Sequence, residues 1–185
     1  MTLVVAMFLT AWSAIAPPDS RSVRSVDRVD LARYAGEWHE IARFPNRFQR
    51  SCAGDVRASY AVRTDGRVDV VNRCTGDDGR AITAYGVARV VDARTSSKLK
   101  VRFAPALLSW LPLVWGDYWV LGLADDYSWA VVGSPDRKYL WILSRATALA
   151  GEPYERALAS ARDNGFAVER LVATPQGVVS PSTAR

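Results

Sequence analysis

The sequence predicts an all-β fold: an eight-stranded antiparallel up-and-down β-barrel with one C-terminal α-helix packed on the barrel. Apolar and polar residues alternate with a period of two through most of the chain after residue 36, as in strands with one buried face. Short turn sequences such as Thr64-Asp65-Gly66 separate the alternating segments, so neighbouring strands pair without long crossovers. Only one later segment has the period of a helix.

The strand pattern is clearest where Leu99, Val101 and Phe103 are separated by lysine and arginine residues. Because successive side chains of a strand point to opposite faces, the apolar set faces the interior and the basic set faces solvent. The first strand begins at Gly36, and the others are predicted at residues 56–62, 67–70, 84–90, 98–103, 118–123, 129–133 and 139–144.

A single amphipathic helix follows the predicted strands. Pro153 suits the first helical position, where a missing N–H loses no hydrogen bond. Tyr154, Leu158 and Ala161 then recur at i, i+4 and i+7, which places them on one face of a helix of about three turns. Residues 166–173 are expected to contain a short last strand.

The composition restricts the chain to one globular domain without a metal centre. Its 185 residues suffice for one domain, and 49% hydrophobic with 23% charged residues is ordinary for a folded protein. The net charge is +5, but the 24 basic residues are spread among 19 acidic ones, so no nucleic-acid partner is expected. A single histidine, His39, and two cysteines are too few for a zinc site, and we expect no metal and no cofactor.

Residues 1–16 differ from the rest of the chain because none of them is charged. This segment is shorter than the roughly 20 residues of a membrane-spanning helix, and Ala14-Ile15-Ala16 has the pattern of a signal-peptide cleavage site. We therefore expect export. The absence of an early basic residue leaves two alternatives, an uncleaved anchor or a start further upstream.

Composition also suggests the remaining boundaries. Residues 17–26, rich in proline and arginine, are interpreted as a linker, 27–174 as the barrel domain and 175–185 as a flexible tail. No cysteine precedes Cys52, so lipid anchoring through an N-terminal lipobox cysteine is not expected.

Cys52 and Cys74 are separated by 22 positions, with an apparent strand–turn–strand unit between them. A bridge between the two ends of such a hairpin is geometrically feasible, and disulfides persist outside the reducing cytosol. With an export-like segment present, we favour a disulfide over the alternative of two buried thiols.

Several blocks of sequence, in order along the chain, resemble the lipocalin family. Tyr34–Arg43 contains the G-x-W pattern of the first lipocalin strand, and Tyr139–Arg145 resembles the last-strand signature, with its arginine just before the helix. Phe44–Gln49, Gly116–Leu121 and Val132–Arg137 resemble the bacterial outer-membrane lipocalins, a subgroup that is similar to apolipoprotein D. The resemblance covers nearly the whole predicted barrel domain.

The resemblance implies structural roles for Gly36, Trp38 and Arg145. In lipocalins the tryptophan of the first strand closes the base of the barrel, and the arginine after the last strand packs across its indole. Trp38 and Arg145 occupy these two positions, and such a cation–π contact contributes about 0.5–2 kcal/mol. Neither residue is expected to contact a ligand.

The resemblance also implies that ligands bind inside the barrel and at its open end. Counting alternate residues from Trp38 predicts the side chains that face the interior, and a one-residue slip in a strand would reverse its set. The predicted ligand-binding residues are Glu40, Ala42, Phe44, Val56, Ala58, Tyr60, Val68, Val70, Asn72, Leu99, Val101, Phe103, Trp119, Tyr139 and Trp141.

Glu40 is the one carboxylate in this set, and a carboxylate in an apolar interior is costly unless it is paired or neutral. One interpretation is a polar anchor for the head group of a ligand, together with Asn72 or Tyr60. The other is an internal hydrogen bond with a tyrosine or arginine near the barrel floor, since buried polar groups are generally satisfied within the protein.

Residues 104–115 form a strongly apolar connection between two predicted strands. They include Leu107, Trp110 and Leu113, while two prolines discourage regular pairing. An exposed patch of this kind requires a partner. We consider three roles: a lid over the barrel mouth, a homodimer contact, and contact with a membrane surface, where tryptophan is favoured.

The resemblance implies a protein that is not an enzyme. Its expected function is to bind, store or transport a small hydrophobic or lipid-like ligand, a fatty acid or a lysophospholipid, in the bacterial cell envelope for membrane maintenance. One alternative is an envelope interaction protein that acts through residues 104–115. Another is an isomerase that uses a cysteine thiol inside the barrel, but a disulfide between Cys52 and Cys74 would remove both thiols.

Overall fold

The computed structural model describes residues 22–177, so the apolar segment 1–16 lies outside the described residues. Within this range no helix is long and apolar enough to cross a membrane. The α-helices are α1 (Leu31–Tyr34) and α2 (Glu152–Asp163). The strands are β1 (Gly36–Arg43), β2 (Cys52–Val62), β3 (Val68–Gly76), β4 (Ala81–Val90), β5 (Lys98–Arg102), β6 (Gly116–Leu123), β7 (Trp129–Gly133), β8 (Leu140–Ser144) and β9 (Val172–Ala173).

The first eight strands form a closed antiparallel barrel, which confirms the predicted fold. Each strand from β2 to β7 pairs with the next along the chain, and β1 closes the barrel by pairing with both β2 and β8. Gly36 pairs with Tyr60 on one side of β1, and Arg43 pairs with Trp141 on the other. The ninth strand, β9, pairs only with the end of β1 and lies outside the barrel.

Antiparallel pairing sends successive connections to opposite ends of the barrel. One end, which we call the closed end, contains α1 and the connections β2–β3, β4–β5 and β6–β7. The other end, the mouth, contains the connections β1–β2, β3–β4, β5–β6 and β7–β8. Residues 104–115 belong to the β5–β6 connection and therefore lie at the mouth.

Helix α2 packs on the outer face of the barrel, against β6 and β7. Leu158 and Ala161 of the predicted apolar face are buried, together with Ala157, which was not predicted. Tyr154, the third predicted residue, is partly buried against the same cluster. The helix approaches β6 closely, since a Cβ atom on Gly122 would lie 2.7 Å from the Ser160 side chain. The outer faces of these two strands are therefore as apolar as their inner faces, which matters for the orientation of β6 described below.

The four-residue helix α1 was not predicted, because so few residues cannot display a helical period. The Asp30 carboxylate caps its start by accepting hydrogen bonds from the backbone N–H groups of Ala32 and Arg33, at 2.9 and 3.3 Å. The helix places the buried Tyr34 across the closed end of the barrel.

Contacts with the barrel extend beyond the predicted domain limits of residues 27–174. In the predicted linker, Val23 is buried in the cluster that contains the apolar face of α2. In the predicted tail, the Pro175 carbonyl accepts a hydrogen bond from the Asp55 N–H at 2.9 Å, and the Gly177 N–H donates to the Asp55 carboxylate at 2.6 Å. The rest of the predicted tail, residues 178–185, lies outside the described residues.

Cys52 and Cys74 form a disulfide with their Cα atoms 5.7 Å apart, as predicted. The bridge joins the first residue of β2 to β3 at the mouth. A cross-link between residues 22 apart reduces the entropy of the unfolded chain, which stabilises the fold by about 3 kcal/mol.

Candidate ligand cavity

The barrel encloses a cavity of about 830 Å³ that opens at the mouth. This volume falls within the range of about 300–1,000 Å³ that is usual for small-molecule sites. Small side chains on neighbouring strands, among them Ala58, Ala84 and Ala88, leave space that larger residues would fill. Within residues 22–177, no group of three or more His, Cys, Asp or Glu side chains is placed to hold a metal ion.

Most of the residues predicted to bind a ligand line this cavity. The strand register explains the agreement: Ala58 of β2 pairs with Asn72 of β3, and Tyr60 pairs with Val70, so each pair shares the inward face. That these side chains bind a ligand stays a prediction. The predicted residues that line the cavity are Glu40, Val56, Ala58, Tyr60, Val68, Val70, Asn72, Leu99, Val101, Phe103, Tyr139 and Trp141.

The predicted inward orientation of Ala42 and Phe44 is wrong. Glu40 pairs with Leu143 of β8, but Ala42 pairs with the adjacent Ile142, so β1 contains one extra residue between them. A β-bulge of this kind disrupts the alternation of side chains. Ala42 and Phe44 consequently lie outside the barrel, in the core cluster that contains the buried face of α2.

Trp119 also faces outward, contrary to the prediction. It pairs with Lys98 of β5, whose Nζ atom lies 4.2 Å from the centroid of the indole ring. The neighbouring Tyr118 pairs with Leu99 and lines the cavity in its place. Helix α2 covers the outer face of β6, so most of this strand is apolar on both faces and its alternation alone does not show which face is inward.

Several cavity residues near the closed end were not predicted, among them Tyr34, Tyr118, Val120 and Val132. Tyr34 lies in α1 and so belongs to no strand alternation. The other three lie in β6 and β7, whose largely apolar sequences do not distinguish the two faces. One signal could have located Tyr118, namely that the adjacent Asp117 forms an ion pair with a lysine of β5 and so marks the outer face of β6.

The Glu40 carboxylate lies on the cavity wall and accepts hydrogen bonds from within the protein. Thr174 Oγ1 and Gln49 Nε2 each donate to it at 2.5 Å, and Arg43 Nη1 lies 3.4 Å from Oε1. Glu40 is only 3% exposed, so these contacts compensate for a buried charge. Of the two interpretations of Glu40, the structure therefore shows internal hydrogen bonding, with arginine as one of the partners.

Burial raises the pKa of the Glu40 carboxyl, and hydrogen bonds from Thr174 and Gln49 oppose this shift without cancelling it. The folded protein therefore keeps this proton to a higher pH than the unfolded chain does. The contribution of that proton to stability is complete below the unfolded pKa and is lost as the pH rises through the folded pKa.

We expect Glu40→Gln to remove this pH dependence. In urea unfolding, the free energy of unfolding of the wild type should fall relative to that of the variant as the pH rises from about 4, and level off above the folded pKa. A difference between the two proteins that stays constant across this range would contradict the raised pKa.

Trp38 and Arg145 close the barrel at the end opposite the mouth, and neither lines the cavity. The guanidinium carbon of Arg145 lies 3.9 Å from the centroid of the Trp38 indole. Gly36 has a φ of +96°, and a Cβ atom there would lie 3.3 Å from Arg145 Nη1. The guanidinium also donates hydrogen bonds of 2.7–3.1 Å to the carbonyl oxygens of Arg33, Tyr34, Ala35 and Glu37.

Residues 104–115, which we call the lid segment, form one side of the mouth. Val114 and Trp115 line the cavity. The guanidinium carbons of Arg89 and Arg102 lie 4.5 and 5.3 Å from the centroid of the Trp115 ring. The Trp115 Nε1 donates to the Ser109 carbonyl at 2.8 Å. These contacts fix the end of the lid segment on the barrel wall.

Exposed apolar side chains surround the mouth. In the lid segment Leu107, Trp110 and Leu113 are 82%, 75% and 85% exposed. Others come from the remaining connections and strand ends at the mouth, so the apolar surface extends beyond the lid segment. The exposed apolar residues at this end are Phe48, Ile82, Phe103, Leu107, Leu108, Trp110 and Leu113.

The sequence agrees with this architecture of a closed barrel, an outer helix and the Trp38–Arg145 contact. The family model of the lipocalin-like domain matches residues 29–176. The chain belongs to the lipocalin family. This lipocalin is 38% identical over 167 residues to temperature-induced lipocalin-1 of Arabidopsis thaliana, a match that covers 89% of each chain.

A second relative of this lipocalin is outer membrane lipoprotein Blc of Escherichia coli K12. The two are 38% identical over 168 residues, which cover 90% of this lipocalin and 89% of the relative. Among solved structures, insecticyanin of the tobacco hornworm Manduca sexta aligns with a TM-score of 0.68 over 89% of this lipocalin and 90% of that chain. At 21% identity this similarity shows the fold alone. Membership of the lipocalin family supports the binding of a small hydrophobic ligand in the cavity.

Proposed function

We propose that this lipocalin binds, stores or transports a lipid-like ligand, a fatty acid or a lysophospholipid, in the cell envelope for maintenance of the membrane. The observation that carries the proposal is the cavity of about 830 Å³, which is lined mainly by apolar side chains and opens at one end of the closed barrel. Removing each CH₂ group of an alkyl chain from water contributes about 0.8 kcal/mol to binding. The envelope location is supported by relatives named outer membrane lipoprotein.

In this proposal the mouth contacts a membrane surface while the ligand enters or leaves. Leu107, Trp110 and Leu113 of the lid segment project apolar surface into solvent around the cavity opening. Exposed apolar patches mark interaction sites, and tryptophan is favoured at the boundary between lipid and water. A ligand that leaves the membrane here would pass into the barrel with little exposure to water.

The same patch supports a second candidate, an envelope interaction protein that uses the lid segment to bind a protein or a second copy of itself. A thiol-dependent isomerase is a weaker candidate. Cys52 and Cys74 are the only cysteines of the chain, and the disulfide occupies both of them.

Native mass spectrometry of the protein isolated from its own cell envelope tests the proposal. We expect one fatty acid or lysophospholipid per barrel, which denaturing extraction then identifies. A protein that carries no lipid and also fails to take up added palmitic acid or lysophosphatidylcholine would contradict the proposal. If such an empty protein were present as a dimer or in a complex, the interaction protein would be favoured.

A further inference from the structure

Three tyrosine hydroxyl groups meet at the closed end of the cavity. Tyr34 comes from α1, Tyr60 from β2 and Tyr118 from β6, and all three line the cavity. The Tyr118 oxygen lies 2.8 Å from the Tyr34 oxygen and 3.0 Å from the Tyr60 oxygen. The rings are also in contact, with centroids 5.6 Å apart for Tyr34 and Tyr60 and 6.0 Å apart for Tyr60 and Tyr118. We call these three residues the tyrosine cluster.

The two hydrogen bonds within the tyrosine cluster leave one of its three hydroxyl protons without a role. Three hydroxyls carry three protons, whereas the two contacts between their oxygens use only two. Within residues 22–177 the hydroxyls form hydrogen bonds only with one another. The third proton can therefore be donated to an oxygen acceptor that enters the cavity.

The phenols remain protonated, and therefore able to donate, at neutral pH. Burial raises the pKa of Tyr60 to about 12, and it raises the pKa values of Tyr34 and Tyr118 well above their ordinary value. The Glu40 carboxylate on the cavity wall opposes ionisation of Tyr60 further.

A positive charge without a carboxylate partner lies behind the tyrosine cluster. The Arg145 guanidinium donates to backbone carbonyls, and within residues 22–177 no carboxylate forms an ion pair with it. Its charge favours negative charge on Tyr34, whereas at Tyr60 the opposing effect of the Glu40 carboxylate is larger. The closed end of the cavity therefore attracts an oxygen acceptor through the hydroxyl donor of the tyrosine cluster.

The opposite end of the cavity has a different chemistry. Phe103 and Leu113 line the cavity at the mouth, as do Phe48 and Ile82, and all four are exposed apolar side chains. Charged side chains line the cavity at the mouth as well, among them Arg47 and Asp136. The mouth therefore suits both an alkyl chain and a large polar head group, whereas the tyrosine cluster at the closed end suits a small oxygen acceptor.

We propose that the tyrosine cluster binds the oxygen end group of a single-chain lipid, so that the polar end lies at the closed end and the alkyl chain runs toward the mouth. The shared chemistry is a small oxygen acceptor, either the carboxyl group of a fatty acid or the hydroxyl group of a fatty alcohol. The inference rests on the proposed function and assigns the position of the polar end group: a small oxygen acceptor lies at the tyrosine cluster, whereas we expect the large head group of a lysophospholipid to stay at the mouth.

Nuclear Overhauser effects from labelled palmitic acid test the orientation. With ¹³C at the carbon next to the carboxyl group, we expect contacts to the ring protons of Tyr34, Tyr60 and Tyr118. With ¹³C at the terminal methyl group, we expect contacts to Phe103 and Leu113 at the mouth. The opposite pattern would overturn the inference and leave the proposed function intact, whereas a wild type that binds none of the lipids tested would overturn both.

A variant without the three hydroxyls tests the chemistry. The triple substitution Tyr34→Phe, Tyr60→Phe and Tyr118→Phe keeps the rings, and replacing all partners of a hydrogen-bond cluster by apolar groups of the same shape is nearly neutral for folding. We expect its affinity for palmitic acid, hexadecanol or both to fall roughly tenfold, while its affinity for lysophosphatidylcholine is unchanged. A loss with only one of the first two identifies which end group the cluster prefers.

Tyr85→Phe is the matched control, because Tyr85 on β4 is 71% exposed and does not line the cavity. It should bind all three lipids as the wild type does. Unchanged affinity of the triple variant for both palmitic acid and hexadecanol would overturn the inference. An equal loss for lysophosphatidylcholine would also overturn it, since the cluster would then not distinguish the end groups.

Discussion

Trp38→Ala is expected to lower the free energy of unfolding by about 3–5 kcal/mol. Trp38 has no exposed surface, and its indole Nε1 donates to the Tyr34 carbonyl at 2.8 Å. Its ring packs 4.9 Å from the Tyr34 ring and 3.9 Å from the guanidinium carbon of Arg145. The substitution would therefore leave a cavity at the closed end and remove the aromatic partner of a cation that is partly withdrawn from water.

Thermal unfolding followed by circular dichroism measures this loss. In a protein of this size about 1 kcal/mol shifts Tm by roughly 2–4 °C, so we expect Tm to fall by roughly 6–20 °C. Trp110→Ala is the control, because it removes the same side chain from an exposed position in the lid segment. That variant should stay within about 0.5 kcal/mol of the wild type. If both substitutions had the same small effect, Trp38 would not stabilise the closed end as described.

The strands that the sequence located best are those with solvent on one face. In β5, Lys98 and Lys100 mark the outer face, so Leu99 and Val101 are placed inward without reference to any other strand. In the hairpin of β2 and β3 the polar residues likewise mark the outer face, so the pairs Ala58–Asn72 and Tyr60–Val70 are placed inward. For such strands the cost of burying a charge fixes the orientation, and the sequence records it directly.

Orientation could not be predicted where both faces of a strand are apolar or where the backbone departs from regular pairing. Helix α2 covers the outer face of β6, so apolar alternation alone did not distinguish Trp119 from Tyr118 as a cavity residue. In β1 one extra residue between Glu40 and Ala42 moved Ala42 and Phe44 from the interior to the helix side. A bulge depends on how two strands fit together, and neither strand alone encodes it.

The polar groups of the cavity depend on contacts between distant parts of the chain. Thr174, which holds the Glu40 carboxylate, is 134 residues away in sequence. The oxygens of Tyr34 and Tyr118 are separated by 84 residues. The periodicity of a sequence indicates which side chains of one strand or helix are buried. It does not indicate hydrogen bonds between distant elements, which only the folded barrel shows.

Ala58→Trp is expected to weaken the binding of a lipid in the cavity. Ala58 lies on β2, where it pairs with Trp38 of β1 and Asn72 of β3, and its small side chain faces the interior. An indole at this position would displace about three CH₂ groups of a bound alkyl chain. At about 0.8 kcal/mol for each group, the affinity should fall by roughly fifty- to a hundredfold.

Ala61→Trp on the same strand is the matched control, because Ala61 is exposed and does not line the cavity. Circular dichroism establishes that both variants are folded before binding is compared. The deciding measurement is a calorimetric titration of the wild type and these two variants with palmitic acid and with lysophosphatidylcholine. If the ligand occupies the barrel, Ala58→Trp loses binding and Ala61→Trp keeps it. Equal binding by all three proteins would contradict a ligand site inside the barrel.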